Sequence, residues 1–362
     1  MSKYEKEAWK WKKTDEKAVN LILVGETNVN RPNPEEAFKN VMPTLLEADV
    51  LFGHMECPLT ATSQNPDMPD VPYKTRWKFS DPSMVRAWTA AGFAAVGCAS
   101  NVMFGARAAL DTVENLDNAG IAHCGVGRNY EAARQPAIVE RKGVKFGFLS
   151  YTSVFWMVDH AAGKNTPGVA TVKAYTSYQP HPRVLEMPGG PAIVRTEPDA
   201  EELAAMERDI RQLREKVDII VISYHWGVSS SKETAEYQMT VAHAAIDAGA
   251  DVIIGHHPHL PQGIEVYKGK PIFYSTGNFA FDWEKMIGRH LAGIMIRCTI
   301  EDRKLSRVSF LPAKRNAENN ITLLELDEKD GLEIVEDIAS LSERFCTELS
   351  VIESEVVVKG IG

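Results

Sequence analysis

The sequence predicts an α/β fold in which strands and helices alternate along most of the chain. Short apolar runs typical of buried strands are separated by segments whose apolar residues recur at helical spacing. Because sheets of this kind bury their faces under helices, the alternation predicts an α/β sandwich. Several polar residues also come directly after strands, at the end of the sheet where α/β proteins place their ligand sites.

In the first half of the chain, each predicted strand is a short apolar run bounded by glycine or by polar residues. A helix is predicted over 34–47 because Phe38, Val41 and Leu45 lie on one helical face. Residues 60–76 form a polar, proline-containing excursion. The other elements predicted here are strands over 19–24, 49–53, 94–98, 137–139 and 146–149 and helices over 82–91 and through Asp117.

Residues 160–200 interrupt this alternation. They contain six prolines and the pair Gly189-Gly190, so the sequence predicts a long inserted loop with little regular structure, a lid or a binding loop. No linker divides the chain, so we expect one domain over 1–326, with 327–362 packed on it as a C-terminal extension. The remaining predicted elements are helices over 201–216 and 234–248, strands over 217–222 and 250–254, and final strands at 271–275 and 293–298.

Composition and charge exclude several classes of protein. The 362 residues are 44% hydrophobic and 25% charged, as in soluble globular proteins, and the net charge of −9 argues against general binding to nucleic acid or anionic membranes. No apolar stretch reaches the roughly 18 residues that cross a bilayer, and residues 1–13 lack the apolar core of a secretion signal. The five scattered cysteines are typical of a reducing compartment. We therefore expect a soluble, cytoplasmic protein.

The strongest chemical signal is the cluster Gly255-His256-His257-Pro258-His259, directly after the apolar run 250–254. Imidazole is the commonest protein ligand for transition metals, and a Pro-stiffened turn can direct His257 and His259 to neighbouring metals. A surface cluster without a ligand is the alternative. However, other polar candidates also follow predicted strands, and together they predict a multi-ligand metal site at one rim of the sheet. These candidates are Glu26, Asn28, Glu56, Asn101 and His225.

Each of these candidates also has a plain structural alternative. Glu56 could be a solvated carboxylate or a helix-cap partner, and His225 could be a core histidine. Asn28 lies in a proline-rich start, where asparagine is often a turn former. His54, two residues before Glu56, would face the same side of an extended segment or would simply be a surface histidine.

The chain carries a series of short segments in a fixed order: Val24-Gly25-Glu26, residues 53–60, Ala99-Ser100-Asn101, Gly125-Val126-Gly127, residues 223–227, the cluster 255–259 and residues 274–279. In this order they resemble the CapA family of poly-γ-glutamate synthesis proteins, which has a calcineurin-like metallophosphoesterase fold. The resemblance covers roughly residues 19–300. It implies a four-layer α/β/β/α sandwich that carries two metal ions about 3.5 Å apart.

The resemblance also implies a role for each metal-site candidate. Glu56 would bridge the two cations, since a bridging carboxylate lets them approach each other. Nitrogen and oxygen donors without cysteine suit Mn, Fe or Zn better than a structural zinc site. The other implied ligands are Glu26, Asn28 and His259 for the first metal and Asn101, His225 and His257 for the second.

Two departures from the family pattern affect the expected chemistry. Members usually have Gly-Asp where this chain has Gly25-Glu26, so the carboxylate here is one methylene longer. Asn-His is common where this chain has Asn101-Val102, and in related phosphoesterases that histidine protonates the leaving group. Val102 cannot donate a proton.

Other residues are therefore candidates for the missing acid. His256 could be a ligand, an acid or a residue that packs away from the site, and the sequence does not rank these roles. His290 is a second candidate acid, on a segment that could return over the metals. Its neighbour Arg289 could bind a carboxylate or phosphate, with a solvated charge as the alternative.

These observations predict a metal-dependent hydrolase in which water activated by two divalent metals attacks a small-molecule phosphoester, ester, lactone or amide. The missing acid disfavours a standard phosphomonoesterase. Two alternatives remain: a component of capsule-type poly-γ-glutamate synthesis or export, as the family name implies, and a non-catalytic metal-binding relative. The expected partners are a small substrate, which could be anionic, and further copies of the chain in a homo-oligomer, but no nucleic acid and no membrane.

Overall fold

Two mixed β-sheets form the centre of the fold in the computed structural model, which describes residues 18–61 and 79–362. The helices are α1 (Met42–Leu45), α2 (Val85–Ala91), α3 (Ala106–Ala119), α4 (Tyr130–Ala133), α5 (Ala200–Arg214), α6 (Glu236–Ala248) and α7 (Lys329–Ser342). The strands are β1 (Val19–Asn28), β2 (Val50–Met55), β3 (Ala95–Gly97), β4 (Ala122–Cys124), β5 (Val126–Gly127), β6 (Ala137–Arg141), β7 (Val144–Thr152), β8 (Gly168–Val169), β9 (Ala174–Gln179), β10 (Ile193–Pro198), β11 (Ile219–His225), β12 (Val252–His256), β13 (Ile264–Tyr267), β14 (Lys270–Phe273), β15 (Asn278–Phe281), β16 (Ala292–Glu301), β17 (Lys304–Arg315), β18 (Ile321–Leu323), β19 (Leu349–Ile352) and β20 (Glu355–Val358).

The first sheet runs in the order β19-β20-β17-β16-β1-β2-β3-β4, with β15 paired to β1 and β18 to β17. The second sheet runs β13-β14-β12-β11-β7-β6. Strands β1 to β4 are parallel to one another, and so are β7, β11 and β12. The carboxyl ends of parallel strands share one edge of a sheet, so residues after β1, β2 and β3 are neighbours, as are residues after β11 and β12.

The two sheets pack face to face because alternate residues of their strands are apolar on the inner side. Leu21 and Leu23 of β1 and Phe52 of β2 meet Phe148 and Val221 of the second sheet in one buried cluster. The rings of Phe52 and Phe148 stack with centroids 4.5 Å apart. This interface is the main core of the sandwich.

The outer faces of the sheets are covered by helices. Ile22 of β1 packs with Trp88 of α2 and with α3, and Ile222 of β11 packs with Val241 of α6 and with α5. The resulting layer order is α/β/β/α, which confirms the four-layer sandwich that the family resemblance implies. Within residues 18–61 and 79–362, the structure has no helix both long and apolar enough to cross a membrane.

The helix predicted over 34–47 was wrong in extent. The structure has a 3₁₀ turn at Pro34–Glu36 and only one turn of α-helix at Met42–Leu45. Pro43 explains the break, because it lacks an N–H and its ring clashes with the carbonyl four residues earlier in a continuous helix. Proline is tolerated in the first turn of a new helix, which is where Pro43 lies.

The loop predicted over 160–200 also contains regular structure. Strands β9 and β10 pair antiparallel from Ala174↔Pro198 to Gln179↔Ile193. The hairpin rests on α6, where the Glu236 carboxylate accepts from the backbone N–H of Thr196 at 3.1 Å. Most of its residues are exposed, so its strands show no apolar alternation that sequence patterns could detect.

The run 293–298 is not the last strand of the sheet, contrary to the sequence prediction. Strand β17 follows β16 in an antiparallel hairpin, and residues 327–362 add α7 and the β19–β20 hairpin. Strand β20 pairs with β17 and so extends the first sheet. The prediction on residues 1–13 and most of the excursion predicted at 60–76 lie outside the described residues.

Candidate metal centre

The carboxyl ends of the strands of both sheets meet at one rim of the sandwich. Strands β1 and β2 and the turn after β3 bring residues from the first sheet, and β11 and β12 bring residues from the second. The seven predicted ligands lie at this rim: Glu26, Asn28, Glu56, Asn101, His225, His257 and His259. Their roles as metal ligands are a prediction.

Glu26 joins the two sheets at the centre of the site. Its Oε1 accepts from the backbone N–H of His257 at 2.6 Å, and its Oε2 lies 2.9 Å from His259 Nδ1. The register of β1 against its neighbours shifts next to Glu26, and such irregularities commonly redirect a side chain. Gly25 is required beside it, because a Cβ there would lie 2.1 Å from the carbonyl oxygen of Gly277.

A second group of contacts lies around His225. Its Nδ1 is 3.6 Å from Glu26 Oε1, and its Nε2 is 3.2 Å from Asn101 Oδ1. The ligand atoms of Glu26, Glu56 and His225 all lie within 4.8 Å of one another, and all three residues are buried. This cluster is compact enough to hold a metal ion. Asn28 lies beside it and donates through Nδ2 to the carbonyl of Glu56 at 2.7 Å.

The turn that carries His257 and His259 has an uncommon backbone. Their φ angles are 92° and 63°, in the region that side chains other than glycine rarely adopt. Such conformations persist where the surroundings hold them in place, often at functional sites. Here the Glu26 carboxylate holds the His257 backbone N–H, while the His259 ring contacts both Glu26 and Asn278.

Gly255 allows the start of this turn to lie in close contact with the backbone of Tyr274, the residue that follows β14. A Cβ at this position would lie 2.0 Å from the carbonyl oxygen of Tyr274 and 2.4 Å from Trp226 Nε1. We expect Gly255→Ala to lower the free energy of unfolding by about 1–3 kcal/mol, because neither neighbour can move without breaking their mutual hydrogen bond. Urea denaturation measures the change. Gly190→Ala is the control, since its Cβ would meet no atom closer than 3.8 Å; equal stability of the two variants would contradict the expectation.

The buried charges of the site divide the histidines into two protonation states. Burial lowers the pKa of His257 to about 4 and that of His225 well below its ordinary value. Burial acts the same way on His259, but the facing carboxylates of Glu26 and Glu56 outweigh it and raise its pKa to about 10. For Glu26, burial favours the neutral acid, yet His259 lowers its pKa far below the ordinary range. His225 and His257 are therefore neutral, the form that binds metals, whereas His259 is protonated beside the ionised Glu26 carboxylate.

Four imidazole nitrogens in this cluster have no hydrogen-bond partner among the described residues: His54 Nε2 and His256 Nε2 behind the rim, and the pair His225 Nδ1 and His257 Nδ1 at the rim. Buried polar atoms are nearly always paired, so each of these nitrogens requires an explanation. A divalent cation would accept the lone pairs of the two nitrogens at the rim, and the mixed nitrogen and oxygen donors suit a borderline transition metal. The residues present therefore fit a metal site.

The three residues predicted as catalytic lie at different distances from this centre. His256 is fully buried behind it and stacks on His54 with ring centroids 4.3 Å apart. His290 lies closer to the surface, with its ring 6.5 Å from that of His259 and its Nε2 2.8 Å from Ser230 Oγ. Arg289 is exposed to solvent.

Two further residues lie at the site besides the predicted ligands and catalytic residues. Asn278 holds His259 through a 3.0 Å contact between Oδ1 and Nδ1, and the Gly277-Asn278-Phe279 segment was the available sequence signal. His54 is fully buried, which excludes the surface alternative, and its Nδ1 lies 3.2 Å from Ser223 Oγ.

A cleft of about 200 Å³ opens above the cluster. The polar part of its described lining consists of predicted ligands and Ser229, and most of the remaining lining is apolar. Val102, at the position where the family acid is expected, lies on the lining. The described residues that line the cleft are Asn28, Glu56, Cys57, Pro58, Asn101, Val102, Ser229, His257, His259, Phe281, Trp283 and Met286.

Comparison with known proteins places this rim in a family context. The family model described as bacterial capsule synthesis protein PGA_cap matches residues 17–283. The chain belongs to this family. The matched range includes all seven predicted ligands and Asn278, whereas Arg289 and His290 lie beyond its end.

Relatives in three bacteria agree with this assignment. Capsule biosynthesis protein CapA of Bacillus anthracis is 30% identical over 257 residues, covering 70% of this chain and 56% of that protein. PGA biosynthesis protein CapA of Bacillus subtilis is 28% identical over 278 residues, covering 73% and 62%. A probable polyglutamine synthesis accessory protein of Mycobacterium tuberculosis is 31% identical over 247 residues, covering 67% and 58%. The chain thus spans less than two thirds of each relative's length.

Proposed function

We propose that this protein is a metal-dependent hydrolase that uses two divalent cations, Mn, Fe or Zn, to cleave a small-molecule ester, lactone, amide or phosphoester. The observation that carries the proposal is the convergence of Glu26, Glu56 and His225 within 4.8 Å, beside imidazole nitrogens that have no other described partner. Cations in such a site lower the pKa of water and polarise the oxygen of the bond that is attacked.

Both sheets contribute residues to the proposed metal site. Glu56 would bridge the two cations, Glu26 and His259 would hold one of them, and His225 and His257 would hold the other. Asn278 orients the His259 ring, as outer partners of metal ligands usually do. The Glu26 contact to the His257 backbone keeps the two sheets in register at the site.

The proton supply distinguishes this site from a standard phosphomonoesterase. Val102 lines the cleft at the position expected for the acid and has no proton to donate. The ring of His290, one of the predicted acids, lies 6.5 Å from that of His259, but burial lowers the pKa of His290, so it is largely neutral near pH 7. A substrate whose leaving group needs little protonation fits these residues best.

Elemental analysis of the purified protein tests the proposal. We expect about two divalent metals per chain and turnover on a panel of esters, lactones, amides and phosphodiesters that chelator removes and Mn restores. His257→Ala should lose both metal and turnover. His243→Ala is the matched control. His243 is a part-buried histidine on α6, outside the site, and its Nε2 lies 2.9 Å from the carboxylate of Glu265. Absence of metal and of metal-stimulated turnover would contradict the proposal.

A second candidate function is a role as a component of capsule-type poly-γ-glutamate synthesis or export. The names of the relatives from Bacillus anthracis and Bacillus subtilis support it. This hypothesis predicts association with a glutamate-polymer ligase or with membranes in cells, and it predicts no turnover on small esters. Affinity capture of the tagged full chain from its own cells distinguishes the two hypotheses.

A further inference from the structure

The cleft above the candidate metal centre has two chemically different walls. Predicted ligands form one wall, including Glu56, His257 and His259. The apolar wall is formed by Phe281, the last residue of β15, and by Trp283 and Met286 on the segment that follows it. A ligand of the metal site would therefore share the cleft with these apolar side chains.

The apolar wall is held in place against the ligands. The ring of Phe281 meets that of His259 edge-on, with centroids 5.2 Å apart and planes at 73°. The buried Arg315 donates to the carbonyls of Phe281 and Met286 at 2.9 and 3.2 Å. Asp282, between them, is paired with Arg31. A surface fixed by its backbone in this way is preorganised for binding.

The described part of the lining has no lysine or arginine of its own, and Arg289 is not part of it. Val102 adds a further apolar side chain. Among these described lining residues, a polyanionic ligand would meet no lysine or arginine.

We propose that the cleft takes a neutral or singly charged ester, lactone or amide with an aromatic or branched aliphatic group next to the scissile bond. The proposal rests on the proposed hydrolase function and narrows its substrate class. The apolar group would lie on Phe281, Trp283 and Met286 while the carbonyl faces the ligands. Water supplies OH to the acyl carbon and H to the departing alcohol or amine, so no further reactant is needed. The volume of about 200 Å³ lies below the roughly 300–1,000 Å³ of drug-sized sites and favours a small substrate.

Calorimetric titration with acetohydroxamate and benzohydroxamate tests the apolar wall. The two probes share one metal-binding head group and differ only in the apolar group beside it. We expect the metal-loaded protein to bind benzohydroxamate at least about tenfold more tightly, because the phenyl ring is buried on the wall. Trp283→Ala and Met286→Ala should each reduce this ratio while leaving acetohydroxamate affinity unchanged. Tyr178→Ala is the control: it removes an aromatic ring on β9 that is 72% exposed, and it should leave the affinity ratio unchanged.

The outcomes separate this inference from the proposed function. Equal affinity for the two probes, or a ratio that survives both wall variants, would overturn the apolar wall while the metal centre stands. Tighter binding of inorganic phosphate than of benzohydroxamate would overturn it as well. A protein that takes up no metal would contradict the proposed function, and this inference with it, before either probe is added.

Discussion

Glu26→Gln should weaken divalent metal binding by at least about 100-fold while leaving the protein folded. The carboxylate contacts the His257 backbone N–H at 2.6 Å and His259 Nδ1 at 2.9 Å, and it lies 3.6 Å from His225 Nδ1. Glutamine keeps the length of the side chain but removes the negative charge that would balance the proposed cations. Metal content after dialysis and calorimetric titration with Mn²⁺ measure the loss.

The matched control is Glu355→Gln, the same substitution at another buried carboxylate. Glu355 accepts from Ser309 Oγ at 2.5 Å and pairs with Arg297 and Arg307 in the first sheet, apart from the cluster. This variant should lose stability and keep its metal, because its partners are arginines and a hydroxyl. Equal metal affinity of Glu26→Gln and the unchanged protein would exclude Glu26 as a ligand.

Arg315→Met should lower the free energy of unfolding by about 3 kcal/mol or more. The guanidinium is fully buried at the end of β17, and burial lowers its pKa to about 10. It donates to carbonyls of the segment that carries the apolar wall, namely those of Phe281, Met286, Arg289 and His290. Methionine fills part of the space but leaves these buried acceptors without their charged donor. Chemical denaturation gives the change in stability.

The same variant should also loosen the wall locally. Hydrogen exchange of the backbone amides over 282–291 should become faster, while exchange in β7 and β11 changes only with global stability. Arg211→Met is the control, since Arg211 pairs with Glu207 on the exposed side of α5 and should change stability by no more than about 0.5 kcal/mol. Unchanged exchange over 282–291 would show that Arg315 does not hold this segment.

The elements that could be predicted from the sequence are those with a strong local pattern. The strands around Leu21, Val221 and Val252 are buried on both faces, so each appears as an uninterrupted apolar run. The helix over 34–47 failed because one proline outweighed a regular apolar spacing. The β9–β10 hairpin was missed because its pairing is made by backbone atoms of exposed residues, and backbone atoms carry no sequence signal.

In the candidate site, too, some residues could be selected from the local sequence pattern and others could not. His257 and Glu26 could be selected because each follows a strand, and parallel strands place such residues at one rim. Their roles as ligands are still a prediction, although the structure brings them into contact. Asn278 and Arg315 could not be selected for their roles, because each acts through a fold-dependent contact with residues distant in the chain.

The sequence by itself determined the α/β alternation, the family and the histidine, carboxylate and amide side chains available for a metal. These follow from residue types and local periodicity, which do not depend on how the sheets pack. Only the tertiary structure decided which atoms face one another: it set the Glu26 carboxylate between His257 and His259, left His225 Nδ1 without a hydrogen-bond partner among the described residues, and turned Phe281 toward the cleft. The physical reason is that these contacts join residues of two separate sheets, and face-to-face packing of those sheets is what brings them within a few ångströms.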